Sequence, residues 1–207
     1  MNRTRIKFCG MTRQEDIELA SSLGVDAIGL VFCPTSPRYV DVQHACTLSS
    51  YCGAFITRVG LFMNQDAGTI KSILQKVPLD LLQFHGTENE EFCRSFGMPY
   101  IKSIAMGSRE ALPKSLGYES AKALLLDSNE LGQPGGSGKR FDWDALPELS
   151  HPIILAGGLN QYNVSEAISK IQPYAVDVSS GIEKSKGIKD EAKMNEFVKS
   201  VQETNEC

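Results

Sequence analysis

A chain of 207 residues, 42% hydrophobic and 22% charged, can bury one substantial core, and its formal net charge of −4 argues against a general nucleic-acid or polyanion binder, so an anionic ligand must be held locally. No apolar stretch approaches transmembrane length, and Met1-Asn2-Arg3-Thr4-Arg5 runs straight into a β-like segment rather than a signal-peptide core, which argues against a membrane protein. The six cysteines (Cys9, Cys33, Cys46, Cys52, Cys93 and Cys207) contain no Cys-x-x-Cys pair, so free thiols in a reducing cytoplasm are expected.

Taken in chain order, short apolar or β-branched runs predict strands at 6–9, 27–31, 58–62, 81–83, 100–104, 123–126, 153–155 and 175–178. Helical patterns lie between them. Thr12-x-x-Glu15 reads as a capping box, followed by Ile17, Ala20 and Leu23 on one face and a stop at Gly24. Ile70, Ile73, Leu74 and Val77 have helical spacing. Thr87-x-x-Glu90 repeats the capping pattern, with Gly97 as terminator, and Met194, Phe197, Val198 and Val201 form an apolar face near the C-terminus. The glycine-rich stretch Gly132-Gln133-Pro134-Gly135-Gly136-Ser137-Gly138 reads as a functional loop rather than a linker.

Alternating β and α units imply an α/β protein with a parallel sheet. Five or six units would leave the sheet open, whereas eight close it into a (β/α)8 barrel, whose lower size limit is roughly 200 residues. One barrel over residues 1–207 is expected, with its active site at the C-terminal ends of the strands.

Several residues fall at those ends. Cys9 closes the first strand, and Lys7, two residues earlier, shares its face and could favour the thiolate; alone, Cys9 could equally be a small buried apolar residue. Asp127 ends a run of three leucines, where apolar walls disfavour an ionised carboxyl and suit it to act as an acid, unless it is only a cap or loop carboxylate. Gln83 and His85 share one face of the fourth strand, and His85 is either a donor to substrate or a structural imidazole. Pro34-Thr35-Ser36-Pro37-Arg38-Tyr39 is a stiff loop that would aim Arg38 at a carboxylate, or leave it as a solvated arginine. Ala156-Gly157-Gly158 and Ser179-Ser180-Gly181 follow the seventh and eighth strands, the recurrent phosphate-binding position in barrels. His44 and His151 read as surface or loop residues, and no cluster has metal-ligand spacing, so no metal is expected.

In order, the segments KFCGMTR, FCPTSPRYV, VGLFMN, LLQFHGTE, LLLDS, GGSGKRFDW, ILAGGLN and VDVSSGIEKSKGIKD resemble those of phosphoribosylanthranilate isomerase, the barrel enzyme of tryptophan biosynthesis, over nearly the whole chain. The resemblance implies a cofactor-independent Amadori rearrangement of N-(5-phosphoribosyl)anthranilate, with Asp127 as general acid and Cys9 as general base. It implies that Arg38 holds the anthranilate carboxylate and that Gly157, Gly158, Ser180 and Gly181 hold the sugar phosphate. By the same resemblance Gly136 and Ser137 close over the phosphate and Asp177 lies near the ribose. Lys7 and Asp177, on the first and last strands, are expected to pair across the closed barrel. The expected partner is a small phosphosugar, with no nucleic acid and no membrane, in a monomer or homodimer.

Three other readings compete. Cys9 could be a nucleophile with His85 as its base, leaving Asp127, Arg38 and the glycine turns without a shared task. The chain could be a phosphosugar-binding barrel without catalysis. It could also be the corresponding isomerase of histidine biosynthesis, which usually uses two aspartates and a two-phosphate substrate.

Overall fold

The computed structural model describes residues 3–106, 117–128 and 150–206. Its framework is eight parallel strands: β1 (Arg5–Cys9), β2 (Ala27–Val31), β3 (Thr57–Phe62), β4 (Leu81–Phe84), β5 (Tyr100–Ala105), β6 (Ala123–Asp127), β7 (Ile153–Leu155) and β8 (Ala175–Val178). They pair in sequence order, and β1 also pairs with β8, which closes the barrel. Each strand lies within one residue of its expected bounds, because short apolar runs bounded by polar turns mark buried parallel strands well.

The helices among the described residues are α1 (Gln14–Ser22), α2 (Val42–Ser49), α3 (Ala67–Leu74), α4 (Glu90–Arg94), α5 (Val164–Ile171) and α6 (Glu191–Glu206). Side chains alternate along the strands, so Phe8, Ile28, Leu30, Leu82, Leu124 and Val176 point outward into one continuous core. The helices cover that face with residues such as Ile17, Ile70, Met194 and Phe197. Each such fully buried aliphatic or aromatic side chain contributes roughly 1.5–3 kcal/mol relative to exposure. Val59, Ile101, Leu125 and Ile154 point inward and fill part of the barrel interior.

Both expected capping boxes are corrected. Helix α1 has Arg13 at its N-cap without a side-chain cap, and the Thr12 hydroxyl instead donates to the Gly187 carbonyl. Helix α4 is capped by Asn89, whose side chain accepts from the Phe92 N–H, while Thr87 donates to Asn64 and Glu90 accepts from Ser120. In each case a tertiary partner takes the threonine that the local pattern assigns to the helix. Asp41 and Asp66 cap α2 and α3 in the same way as Asn89. Beyond β8 the chain makes one 3₁₀ turn (Ser180–Ile182) and then a hairpin of β9 (Glu183–Ser185) and β10 (Ile188–Lys189) before α6.

Candidate active site

A pocket opens at the C-terminal ends of the strands. It is lined by Cys9 from β1, Arg38 from the loop after β2, Gln83 and His85 from the end of β4, Asp127 from β6 and Asp177 from β8, with Gly157, Gly158, Ser179 and Ser180 from the turns after β7 and β8. One face thus gathers nearly all the described residues expected at the site. Gly181 stands back from the cavity, its backbone packed against the Leu159 carbonyl. Gly136 and Ser137 lie outside the described residues.

Register brings the first group together. Lys7 is the direct partner of Asp177 across the β1–β8 seam, and Lys7 Nζ donates to Asp177 Oδ1 at 2.8 Å with both side chains buried. Burial works against the Lys7 charge, but Asp177 and Cys9 outweigh it and hold the ammonium above its ordinary value. The Lys7 ammonium and the Cys9 thiol share the space beside Gly29, and Lys7 favours the thiolate. Burial is the largest influence on that thiol and pushes it up; Lys7 opposes the rise, Asp177 reinforces it and Lys189 opposes it. Room for the pair comes from Gly29, the cross-strand partner of Cys9, where a Cβ would stand 2.8 Å from Cys9 Sγ and 3.3 Å from Lys7 Nζ.

A second group runs along β4 to β6. Gln83 Nε2 lies 3.3 Å from both His85 Nδ1 and Ser103 Oγ. With the Gln83 amide nitrogen toward it, Nδ1 accepts, which leaves the proton of a neutral imidazole on Nε2. Nε2 faces Asp127 Oδ2 at 3.7 Å. Burial, then the charges of Lys102 and Lys7, pull His85 down to about 4, so it is neutral near pH 7. His85 thus faces the carboxyl, while Lys7 is the nearby charge that favours the Cys9 thiolate. Gln83 Oε1 is a buried acceptor with no hydrogen-bond partner among the described residues.

Arg38 is buried, which removes the solvated-arginine reading. Its aliphatic stem crosses Gly10, where a Cβ would collide with it. Its guanidinium meets Glu183 along a bidentate edge, Nε to Oε1 at 2.6 Å and Nη2 to Oε2 at 2.8 Å. Glu183 Oε1 also pairs with the buried Lys189 Nζ at 3.1 Å. Sequence reasoning missed Glu183 and Lys189 as members of the site. The available signal was a glutamate and a lysine, six residues apart in a short charged segment just past the last strand.

Gly157 and Gly158 both take positive φ, 83° and 66°, a backbone that other residues adopt only with strain. Their turn packs against Ser128, the residue after Asp127. Ser179 donates to the Cys9 carbonyl at 3.0 Å, tying the turn after β8 to the end of β1.

The family model described as N-(5′-phosphoribosyl)anthranilate (PRA) isomerase matches residues 6–200. The N-(5′-phosphoribosyl)anthranilate isomerase of Nitrosococcus oceani is 50% identical over 205 residues, covering 98% of this chain and 100% of that protein. The crystal structure of phosphoribosyl anthranilate isomerase from Thermus thermophilus is similar with a TM-score of 0.86 at 31% identity, covering 97% of this chain and 99% of the other. A phosphoribosyl anthranilate isomerase in complex with reduced 1-(o-carboxyphenylamino)-1-deoxyribulose 5-phosphate is similar with a TM-score of 0.82 at 33% identity, covering 97% and 99%. On this sequence and structural likeness over almost its full length, the chain belongs to the phosphoribosylanthranilate isomerase family, the isomerases of tryptophan biosynthesis.

Proposed function

We propose that the chain converts N-(5′-phosphoribosyl)anthranilate to 1-(2-carboxyphenylamino)-1-deoxyribulose 5-phosphate without a cofactor, with Asp127 as general acid and Cys9 as general base. The observation that carries the assignment is the convergence of Cys9, Asp127 and Arg38 on one cavity whose rim includes the turns after β7 and β8. Asp127 gives its proton to the furanose ring oxygen as the C1′–O bond breaks and the anilino nitrogen lone pair forms the C1′ iminium. Cys9 then takes the C2′ proton, and the electrons of that C–H bond move to C1′–C2′ and neutralise the iminium. The resulting enolamine tautomerises to the ketone, so atoms and charge balance with no external redox partner.

The electrostatics support this order of events. Cys9 acts from its thiolate form, which Lys7 favours, and because burial holds the thiol above its ordinary value that thiolate is a strong base for the C2′ proton of the iminium. Lys7 stabilises the thiolate, and Asp177 keeps the Lys7 ammonium in place. The Nε2–H of neutral His85 faces Asp127, where it can stabilise the carboxylate left after proton donation. In this reading Gln83 Oε1, without a partner among the described residues, accepts from a sugar hydroxyl, and the backbone N–H groups about Gly157, Gly158 and Ser180 receive the phosphate. The related structure with a reduced product bound supports a phosphosugar ligand.

The test is turnover of N-(5′-phosphoribosyl)anthranilate generated in place and followed by its fluorescence. Steady loss of signal with catalytic amounts of protein is expected. Folded protein without turnover would contradict the proposal and favour a phosphosugar-binding barrel.

A further inference from the structure

Glu183 and Lys189 sit in the β9–β10 hairpin, outside the barrel strands, yet they connect three separate parts of the site. Glu183 grips Arg38 with both oxygens, and its Oε1 also accepts from Lys189 Nζ at 3.1 Å and from the Gly187 N–H at 3.3 Å. Lys189 Nζ donates in turn to the Cys9 carbonyl at 2.6 Å and the Ser179 carbonyl at 3.1 Å. One buried carboxylate therefore links the arginine, the strand end that carries the thiol and the turn after β8.

The stereochemistry of the guanidinium gives this link a purpose. Arginine has two edges able to grip a carboxylate, Nε with one Nη, and the Nη pair at its end. Glu183 occupies the first edge, so the second is the edge left for a ligand carboxylate, and Arg38 lines the cavity. With its stem laid across Gly10 and its inner edge held by Glu183, the guanidinium cannot rotate without breaking two charge-assisted hydrogen bonds. The balance of charge points the same way. An Arg38–Glu183 pair alone would present no net charge to an anion, whereas Lys189, although burial pulls its ammonium down, shares the same carboxylate and draws part of its charge away from Arg38.

We propose that Glu183, braced by Lys189, is the positioning residue that presents the end-on edge of Arg38 to the aryl carboxylate and registers it against Cys9. This inference rests on the substrate reading above. Glu183 does not touch the reacting atoms; it acts through Arg38.

The experiment measures binding of two ligands by calorimetry, reduced 1-(o-carboxyphenylamino)-1-deoxyribulose 5-phosphate and the same molecule lacking the aryl carboxylate. The proteins are wild type, Glu183→Gln, Glu183→Asp, Arg38→Met and Arg38→Met/Glu183→Gln, with thermal melts as a check on folding. Wild type should prefer the carboxylated ligand. Loss of one charge-assisted positioning contact should weaken that ligand about tenfold in Glu183→Gln and leave the other within about twofold. Glu183→Asp keeps the carboxylate charge but draws the arginine back, and it should show the same selective loss. In the Arg38→Met background Glu183→Gln should add nothing. Equal weakening of both ligands, or additive effects with Arg38→Met, would overturn the positioning role alone. A wild type with no preference for the carboxylated ligand would overturn the substrate reading and this proposal with it.

Discussion

Lys7 and Asp177 are direct register partners across the seam that closes the barrel, and their side chains meet at 2.8 Å inside it. Removing one member leaves the other charged group buried and unpaired, which typically costs about 3–5 kcal/mol. Asp177→Leu and Lys7→Met should each destabilise the fold by roughly that amount, whereas Lys7→Met/Asp177→Leu should regain most of it. Urea denaturation of the four proteins forms a double-mutant cycle. Additive single effects would show that the two residues are not coupled.

His85 gives the protein a defined acid sensitivity. Its value falls from 6.5 to about 4 through burial and the nearby lysine charges. Between those values the unfolded chain binds a proton that the folded chain refuses, so stability rises with pH across the window and is lost as pH falls through it. Above about pH 6.5 the imidazole is neutral in both states and costs nothing, and the penalty grows to about 3 kcal/mol by about pH 4. Wild type should therefore lose about 2 kcal/mol more than His85→Gln between about pH 7 and about pH 4.5. Equal losses in urea titrations at the two pH values would contradict a buried neutral imidazole.

Gly29 leaves the space in which the Cys9 thiol and the Lys7 ammonium meet. In Gly29→Ala the new Cβ, 2.8 Å from Cys9 Sγ and 3.2 Å from Cys9 Cα, must push the thiol aside. Overpacking of this kind costs about 1–3 kcal/mol. A displacement near 1 Å at a reacting group can lower the rate about a hundredfold. Thermal melts and steady-state kinetics should show a modest loss of stability beside a large fall in kcat. Wild-type kcat in this variant would mean that Cys9 geometry does not limit the reaction.

These effects separate what the sequence made legible from what it hid. The strands could be read because runs such as Leu124-Leu125-Leu126 are buried on both faces, and counting eight of them was enough to pair Lys7 with Asp177 across a closed barrel. His85 and Gln83 could be placed on one face from their two-residue spacing. Other features depend on contacts between distant segments. Thr12 bonds Gly187 and Thr87 bonds Asn64, so neither threonine completes its apparent capping box. The bond from Arg38 to Glu183 spans 145 residues, and no local pattern announces that a short hairpin will brace the arginine. Fold and strand-end chemistry are local in sequence; the groups that orient them are not.

Asp127 and Cys9 are proposed to perform the two proton transfers. The most direct measurement is single-turnover loss of phosphoribosylanthranilate fluorescence with wild type, Cys9→Ala and Asp127→Asn in excess over substrate, alongside affinity for the reduced product. Rates should fall by about 10²- to 10⁴-fold in each variant, with ligand affinity close to that of wild type. A variant that keeps even a tenth of the wild-type rate would contradict the role given to its residue.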